Sequence, residues 1–558
     1  MKKDGIENIT SQELKNEILK QNRIKLFNSK NGNNYLYDAF SQNIFPIDKE
    51  IEGFLFSKNF FVQSEYSEEK IKKFFEKLLT WNDVRTVKRI PETHLTINFS
   101  NKCNLNCSYC YRHKNNKNVM DLEKSFEVID YANNYFKIEN DEIIFSIDMT
   151  AESFLDVEKI KAFDDKLTEY ENLYITESDV IDGKTEEFLR ILKRNLYGLS
   201  DFYVSDNLSE EFKKIISDEN LYSKFSEKEK VNDILLKRKY NPKFLDKKRL
   251  LRLNRELLET FYPNYLIHRD FQQFRIWFMS NGTNISKENI ELIKRININP
   301  FWISLDGPAE IHNKNRKYYD NRDSYNDVIK NVKCLQENEI DVKISCVLTK
   351  DYPYPDKLYS FFKSLNVIAI QMCPVRNGNT VSFNMEDIEK LKDGYKRLYD
   401  VLYKEVLNDD FSSFKLLKED LSMLALGNLF SRSRQYNRCT WGTEVVLDSK
   451  GDMYPCLYVI GDAKYLLGNI SERKSASDVL KPILVNQLDK CPSCWARYLC
   501  GGTCHYNSIV KGKSAFEIDD IECSIRKYVI EESINFFIKL IENRVDINKI
   551  IKFFFEET

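Results

Sequence analysis

Net charge is almost absent from this chain of 558 residues. Its 84 Lys and Arg nearly cancel its 86 Asp and Glu, leaving −2 at pH 7. So even a balance gives no bulk attraction to nucleic acid or to an anionic membrane surface, and neither is expected as a partner. Long apolar runs are missing as well. With 42% hydrophobic and 30% charged residues, no stretch is apolar enough and long enough to span a bilayer. Lys2 and Lys3 are followed by no apolar segment, so the start of the chain does not read as a secretory signal. A cytoplasmic location is expected. In such a reducing compartment, thirteen cysteines point to metal or redox chemistry rather than to disulfides.

The length exceeds what one hydrophobic core serves, so three or four domains are expected. Residues 24–27, 35–40 and 43–47 read as strands, separated by Asn31-Gly32-Asn33-Asn34 and Ser41-Gln42. Helical spacing of apolar residues follows over 48–56 and 67–79. This succession suits a winged-helix-like module over 1–90. A structural cap is the plain alternative to a peptide-recognition role, in which an exposed strand edge pairs with a leader peptide. Further strands are expected at 94–99, 143–147, 275–279, 302–305, 341–348 and 367–372, with helices between them. A long polar segment, 156–270, interrupts this series and reads as a helical insertion.

The most informative stretch is Ser100-Asn-Lys-Cys-Asn-Leu-Asn-Cys-Ser-Tyr-Cys-Tyr111. It places Cys103, Cys107 and Cys110 at C-x3-C-x2-C spacing just after a strand. Three thiolates can hold three irons of a four-iron, four-sulfur (4Fe–4S) cube and leave one iron open. A structural zinc would need a fourth ligand, and this loop has neither a fourth cysteine nor a suitably spaced histidine. The triplet, with Tyr109 before its third cysteine, resembles the signature of the radical S-adenosylmethionine (SAM) family. That resemblance implies an α/β fold built on a partial (β/α)6 TIM-like barrel over 91–375. It also implies a cluster whose open iron chelates SAM, and SAM cleavage to a 5′-deoxyadenosyl radical.

The same resemblance implies the SAM contacts. Relatives carry Gly-Gly-Glu-Pro after the second strand. Here Thr150-Ala151-Glu152-Ser153 stands there, and only the Glu is kept. Ser280 and Asn281, then Ser304 and Asp306 in Ser304-Leu-Asp-Gly307, and finally Arg316, complete the expected cofactor set.

A second group of cysteines follows: Cys439, Cys456 in Gly451-Asp-Met-Tyr-Pro-Cys456, then Cys491, Cys494, Cys500, Cys504 and Cys523. This series resembles the SPASM domain, here over 376–530, with a C-terminal helix over 531–558. By the family's interleaved pattern, Cys439, Cys456 and Cys504 serve one auxiliary 4Fe–4S cluster, and Cys491, Cys494, Cys500 and Cys523 a second. Three clusters and SAM are therefore the expected cofactors. Cys334, Cys346 and Cys373 read as ordinary buried thiols. Ser433 stands where some relatives have a fourth ligand for the first auxiliary cluster, which would leave that cluster open. Leu457 stands where sulfatase-activating relatives have an Asp base.

Together these features resemble the radical SAM/SPASM peptide maturases. The implied activity is modification of a ribosomally made precursor peptide, with a thioether from a peptide cysteine as the expected bond and an electron donor such as flavodoxin or ferredoxin as a partner. Carbon–carbon or ether cross-linking is the alternative within the enzyme class. A non-catalytic iron–sulfur electron carrier and a peptide-binding module with decayed catalysis are the alternatives outside it.

Overall fold

The computed structural model describes residues 11–56, 67–80, 85–87, 94–100, 102–110, 119–135, 142–147, 151–169, 273–296, 298–376 and 381–555. Thr150 and nearly all of the expected insertion, including its helical stretches at 209–217, 226–239 and 247–261, lie outside the described residues.

The N-terminal strands β1 (Ile24–Asn28), β2 (Asn34–Asp38) and β3 (Asn43–Ile47) form an antiparallel sheet in that order. Helices Ser11–Lys20, Lys49–Phe56 and Glu68–Thr80 accompany it. Strand alternation decides how this unit is held. Leu36 turns into a small core with Ile18, Phe54 and Phe75. Its neighbours Tyr35 and Tyr37 turn the other way, into the main core of the protein. The sheet is thus covered on both faces. Arg23 and Asp38 pair inside it, and Asp38 also accepts from Ser41 N at 2.9 Å.

β4 (Arg85–Val87) runs parallel to a much later strand, β12 (Ser433–Gln435). Then the main succession begins with β5 (His94–Ile97), β6 (Glu142–Ile147), β7 (Gln273–Trp277), β8 (Met279–Ser280), β9 (Phe301–Ser304), β10 (Val342–Leu348) and β11 (Ala369–Pro374). Every pairing along it is parallel. The buried Phe278 alone separates β7 from β8. β5-β6-β7 and β8-β9-β10-β11 therefore follow one another around a continuous chain path.

Helices separate the strands that pair with one another, as parallel connections require. Tyr325–Glu337 shows why such segments become helical: its buried Val328, Val332 and Leu335 recur at four and three residues and face the sheet. Lys287–Arg295 begins where Ser286 accepts from Asn289 N at 3.2 Å. Val157–Glu169 lies within the segment expected to be inserted. It is instead a regular sheet-covering helix, with Ile160, Phe163 and Leu167 in the main core, so the interruption starts after residue 169. Its Asp164 pairs with Arg295 at 3.0 Å.

The C-terminal part is fused to this layer through β13 (Val445–Leu447), which pairs in parallel with β5. β14 (Asp452–Tyr454) returns antiparallel to β13, and β15 (Gly468–Asn469) closes the edge. Helix Asp520–Glu542 packs against Asp387–Leu407 and Leu421–Phe430, pinned by Tyr399, whose hydroxyl donates to Ser422 O at 2.6 Å. This helix runs through the boundary expected at 530, because buried residues continue from Ile525 to Leu540.

Candidate active site

The cysteine triplet sits on the loop after β5. Asn106 N donates to Lys317 O at 2.7 Å, and Ser108 N to Asn315 O at 2.9 Å. Ser108 Oγ adds a bond to Asn315 Oδ1 at 3.0 Å. These bonds hold the loop as an extra strand-like edge against residues 315–318, so backbone pairing sets its shape. Cys103, Cys107 and Cys110 gather with Leu105, Tyr109, Val347, Val375 and Val381 in one apolar cluster. Burial pushes the Cys107 thiol up to about 12, and Arg316 pulls in the opposite direction.

Tyr109 is buried, and its hydroxyl donates to Asp306 Oδ2 at 2.5 Å. The Arg316 guanidinium lies over the Tyr109 ring, 5.3 Å from its centre, with Nε 3.1 Å from the same carboxylate oxygen. Val347 N donates to Asp306 Oδ1 at 3.1 Å. The turn that aims Asp306 needs Gly307: φ is +133°, and a Cβ there would meet Leu358 at 2.6 Å. Behind it runs a relay: Asp306 N donates to His312 Nδ1 at 3.3 Å, His312 Nε2 faces Ser324 Oγ at 3.0 Å, and Ser324 Oγ donates to Arg316 O at 2.5 Å. Nδ1 is the acceptor, so the neutral ring carries its proton on Nε2. Burial keeps it neutral by lowering its pKa to about 4.

Glu152 opens the short helical turn after β6. Its Oε1 accepts from Ser280 Oγ at 2.8 Å and Phe154 N at 3.4 Å, and its Oε2 from Asn281 N at 2.7 Å. Burial raises its pKa to about 7 in spite of these donors. Asn281 Nδ2 donates to Asn104 Oδ1 at 2.8 Å and lies 3.8 Å from Cys103 Sγ. Asn104 Nδ2 donates to Thr283 at 2.8 Å. The carboxylate is thereby tied to the triplet. Ser304, at the end of β9, pairs in register with Ser345.

The C-terminal cysteines fall into two neighbourhoods. Cys439 and Cys504 share a hydrogen bond that lowers Cys439 and raises Cys504, and Cys456 is within electrostatic reach of both. Cys491, Cys494, Cys500 and Cys523 interact among themselves. Cys373, Cys439 and Cys504 line a cavity of about 920 Å³ at the C-terminal end of β11. Val375 belongs both to this wall and to the apolar cluster of the triplet. Ser433 is buried in β12, bonded to Ser431 at 2.8 Å and Asn428 at 3.1 Å.

No protein-family model matches the chain. A cysteine-type anaerobic sulfatase-maturating enzyme of Clostridium novyi is 29% identical over 271 residues, covering 46% of this chain and 70% of the relative. The chain is a homologue of the radical SAM maturases. Its fold agrees with native anSMEcpe with bound AdoMet, at TM-score 0.52 and 18% identity, over 81% of this chain and 99% of the other. The same protein with bound AdoMet and Kp18Cys peptide matches at TM-score 0.51 and 18% identity, over 81% and 99%.

In this maturase homologue the donor sets suit iron–sulfur clusters. Each is made of thiols, the ligands such clusters take. Among the described residues, no three Cys, His, Asp or Glu converge closely enough for a single metal ion. A four-iron cube holds its thiolates further apart than one ion does, so wide spacing within each set is compatible with it. Glu152 uses three of its roughly four acceptor directions on the protein and has one left. His312 and Ser324 were missed in the sequence. Only the short interval between His312 and Arg316 hinted at them, and their role depends on how the turn folds back. Among the described residues, no helix is long and apolar enough to cross a membrane.

Proposed function

We propose that this enzyme modifies a ribosomally made precursor peptide by joining a peptide cysteine sulfur to a carbon as a thioether. The observation that carries the reading is the single cavity whose wall is shared by Val375, beside the triplet, and by Cys439 and Cys504. A peptide held there reaches both thiol-rich sites at once, which is a proximity argument. In this reading β5 to β11 are the partial (β/α)6 barrel, and the C-terminal part is the SPASM domain. Cys103, Cys107 and Cys110 hold the first 4Fe–4S cluster, Cys439, Cys456 and Cys504 the second, and Cys491, Cys494, Cys500 and Cys523 the third. Glu152, Ser280, Asn281, Ser304, Asp306, Arg316 and Tyr109 form the SAM pocket. The β1–β3 unit takes the leader peptide, and a flavodoxin- or ferredoxin-type donor supplies electrons.

When bound, the first cluster with SAM supplies a carbon radical able to remove hydrogen from an unactivated C–H bond. The protein's own part is to bind and orient. Glu152 accepts an ammonium, Asp306 and Arg316 keep the triplet loop in place through Tyr109, and the cavity excludes water from the reacting peptide. Overall, one C–H and one S–H bond are lost and one C–S bond forms. SAM gives methionine and 5′-deoxyadenosine, and a proton is released. The relatives' role in sulfatase maturation supports a polypeptide substrate. Leu457, which follows Cys456 and opens a short helical turn, offers no base for oxidising a cysteine to an aldehyde.

The experiment is anaerobic incubation with SAM, a reductant and a cysteine-containing precursor. The expected product has lost two hydrogens, and its cysteine no longer reacts with an alkylating agent. Loss of two hydrogens with a cysteine that still alkylates would mean carbon–carbon or ether cross-linking. No 5′-deoxyadenosine from cluster-loaded protein would mean an electron carrier.

A further inference from the structure

The cavity beside Cys439 and Cys504 has a charge unlike that of the chain. The whole sequence carries −2, yet the described residues lining this space include six cationic and three acidic side chains. The acids are already engaged. Glu522 pairs with Arg526 at 2.7 Å, Asp519 with Lys511, and Glu419 with Lys343, which stands outside the lining. Arg438 is committed to Leu499 O at 3.0 Å and Cys500 O at 2.9 Å. Arg376, Lys350 and Lys418 remain without a salt bridge among the described residues. Arg376 shares one hydrogen bond with the Tyr458 side chain and feels Glu522 electrostatically, which leaves further guanidinium donors for a ligand. Arg376 stands two residues beyond the end of β11 and is exposed to this space, although protein surrounds it.

We infer that the cavity selects an acidic peptide segment, with carboxylates flanking the reacting cysteine and Arg376 as the principal contact. This rests on the reading of the chain as a peptide maturase and names its substrate class. Two physical arguments carry it. A concave site lined by one sign of charge and walled by low-dielectric protein focuses its field and concentrates ligands of opposite sign. A guanidinium facing open space presents two parallel donors that match a carboxylate. Cys504 and Cys456 draw on part of this positive field, since each interacts electrostatically with Arg376. Lys350 and Lys418 line the part contributed by other elements, which extends the field beyond the cysteines.

The test uses the full, cluster-loaded chain and two fluorescent nonapeptides with a central cysteine, one flanked by four glutamates and its twin by four glutamines. Anaerobic fluorescence anisotropy without SAM reads affinity alone. The acidic peptide is expected to bind about tenfold more tightly, and added salt should erase most of that difference. Arg376→Gln should remove most of the preference while leaving the glutamine peptide nearly unaffected, with iron content and auxiliary-cluster spectra recorded in parallel. Lys418→Gln should narrow the preference by a smaller factor. Equal binding of the two peptides by the unaltered protein would overturn the inference without reference to any variant. So would an Arg376→Gln protein that changes its cluster spectra yet keeps the full preference, which would assign the arginine to the cluster. A charge preference without 5′-deoxyadenosine release leaves the inference standing and removes the maturase reading. Turnover without a charge preference does the reverse.

Discussion

Tyr109 donates its hydroxyl to Asp306 across 2.5 Å, although 197 residues separate them in the chain. The bond ties the cysteine loop to the turn after β9, and Arg316 completes the group from the same side. Removing different members has different costs. Tyr109→Phe leaves Asp306 paired with Arg316 and should cost about 1–3 kcal/mol. Asp306→Asn leaves the buried guanidinium without its counter-charge and should cost about 3–5 kcal/mol. Urea unfolding of both variants gives the order, and equal losses would show that the phenol, not the ion pair, holds the loop.

Cys103, Cys107 and Cys110 replaced together by Ala should lower the iron content of reconstituted protein by about four of roughly twelve atoms per chain and abolish SAM cleavage. The auxiliary sets lie on separate elements and should keep their iron. Retained 5′-deoxyadenosine formation in this variant would move the cofactor site elsewhere.

Glu152 sets a pH dependence. Its pKa in the folded chain is raised to about 7 by burial, above the roughly 4.3 of an unfolded glutamate. The folded state therefore binds the proton more tightly. The stability this contributes is complete below about pH 4.3 and is lost as pH rises toward 7. The unfolding free energy of SAM-free protein should fall by about 3 kcal/mol over that window. Glu152→Gln should flatten this part of the profile. An unchanged slope in the variant would assign the dependence to other groups.

Trp495 lies between the group of Cys491, Cys494, Cys500 and Cys523 and the N-terminal sheet. Its ring meets Phe27 and Tyr37 edge-on, each with centres 6.0 Å apart. Asn33 Nδ2 reinforces the contact through Glu542 Oε1 at 2.9 Å. Deleting residues 1–83 would therefore strip Phe27, Tyr35 and Tyr37 from the main core. Trp495→Ala should cost about 3–5 kcal/mol and speed hydrogen exchange in β1 and β2. Exchange rates unchanged in these strands would show that the sheet is held by its own helices alone.

The sequence by itself determined what depends on near neighbours. The spacing within the triplet, the turn residues that bound β2 and the four-and-three spacing of Tyr325–Glu337 are local properties, set by bond geometry and by the repeat of strand and helix. For the same reason Cys491 and Cys494 could be paired on paper. Only the tertiary structure decided the rest. Glu152, Ser280 and Asn281 meet because β7 runs parallel to β6 and the chain continues through Phe278 into β8, which carries Ser280 and Asn281 to the end of β6. Val157–Glu169 proved to cover the sheet because Ile160 and Phe163 found apolar partners that no local pattern names. The N-terminal sheet is joined to the C-terminal helices because Tyr35 and Tyr37 bury a face that the sequence showed as apolar but could not assign to a neighbour. Distances along the chain fix local shape, whereas contacts across hundreds of residues follow from which apolar faces remain to be covered once the local elements have formed.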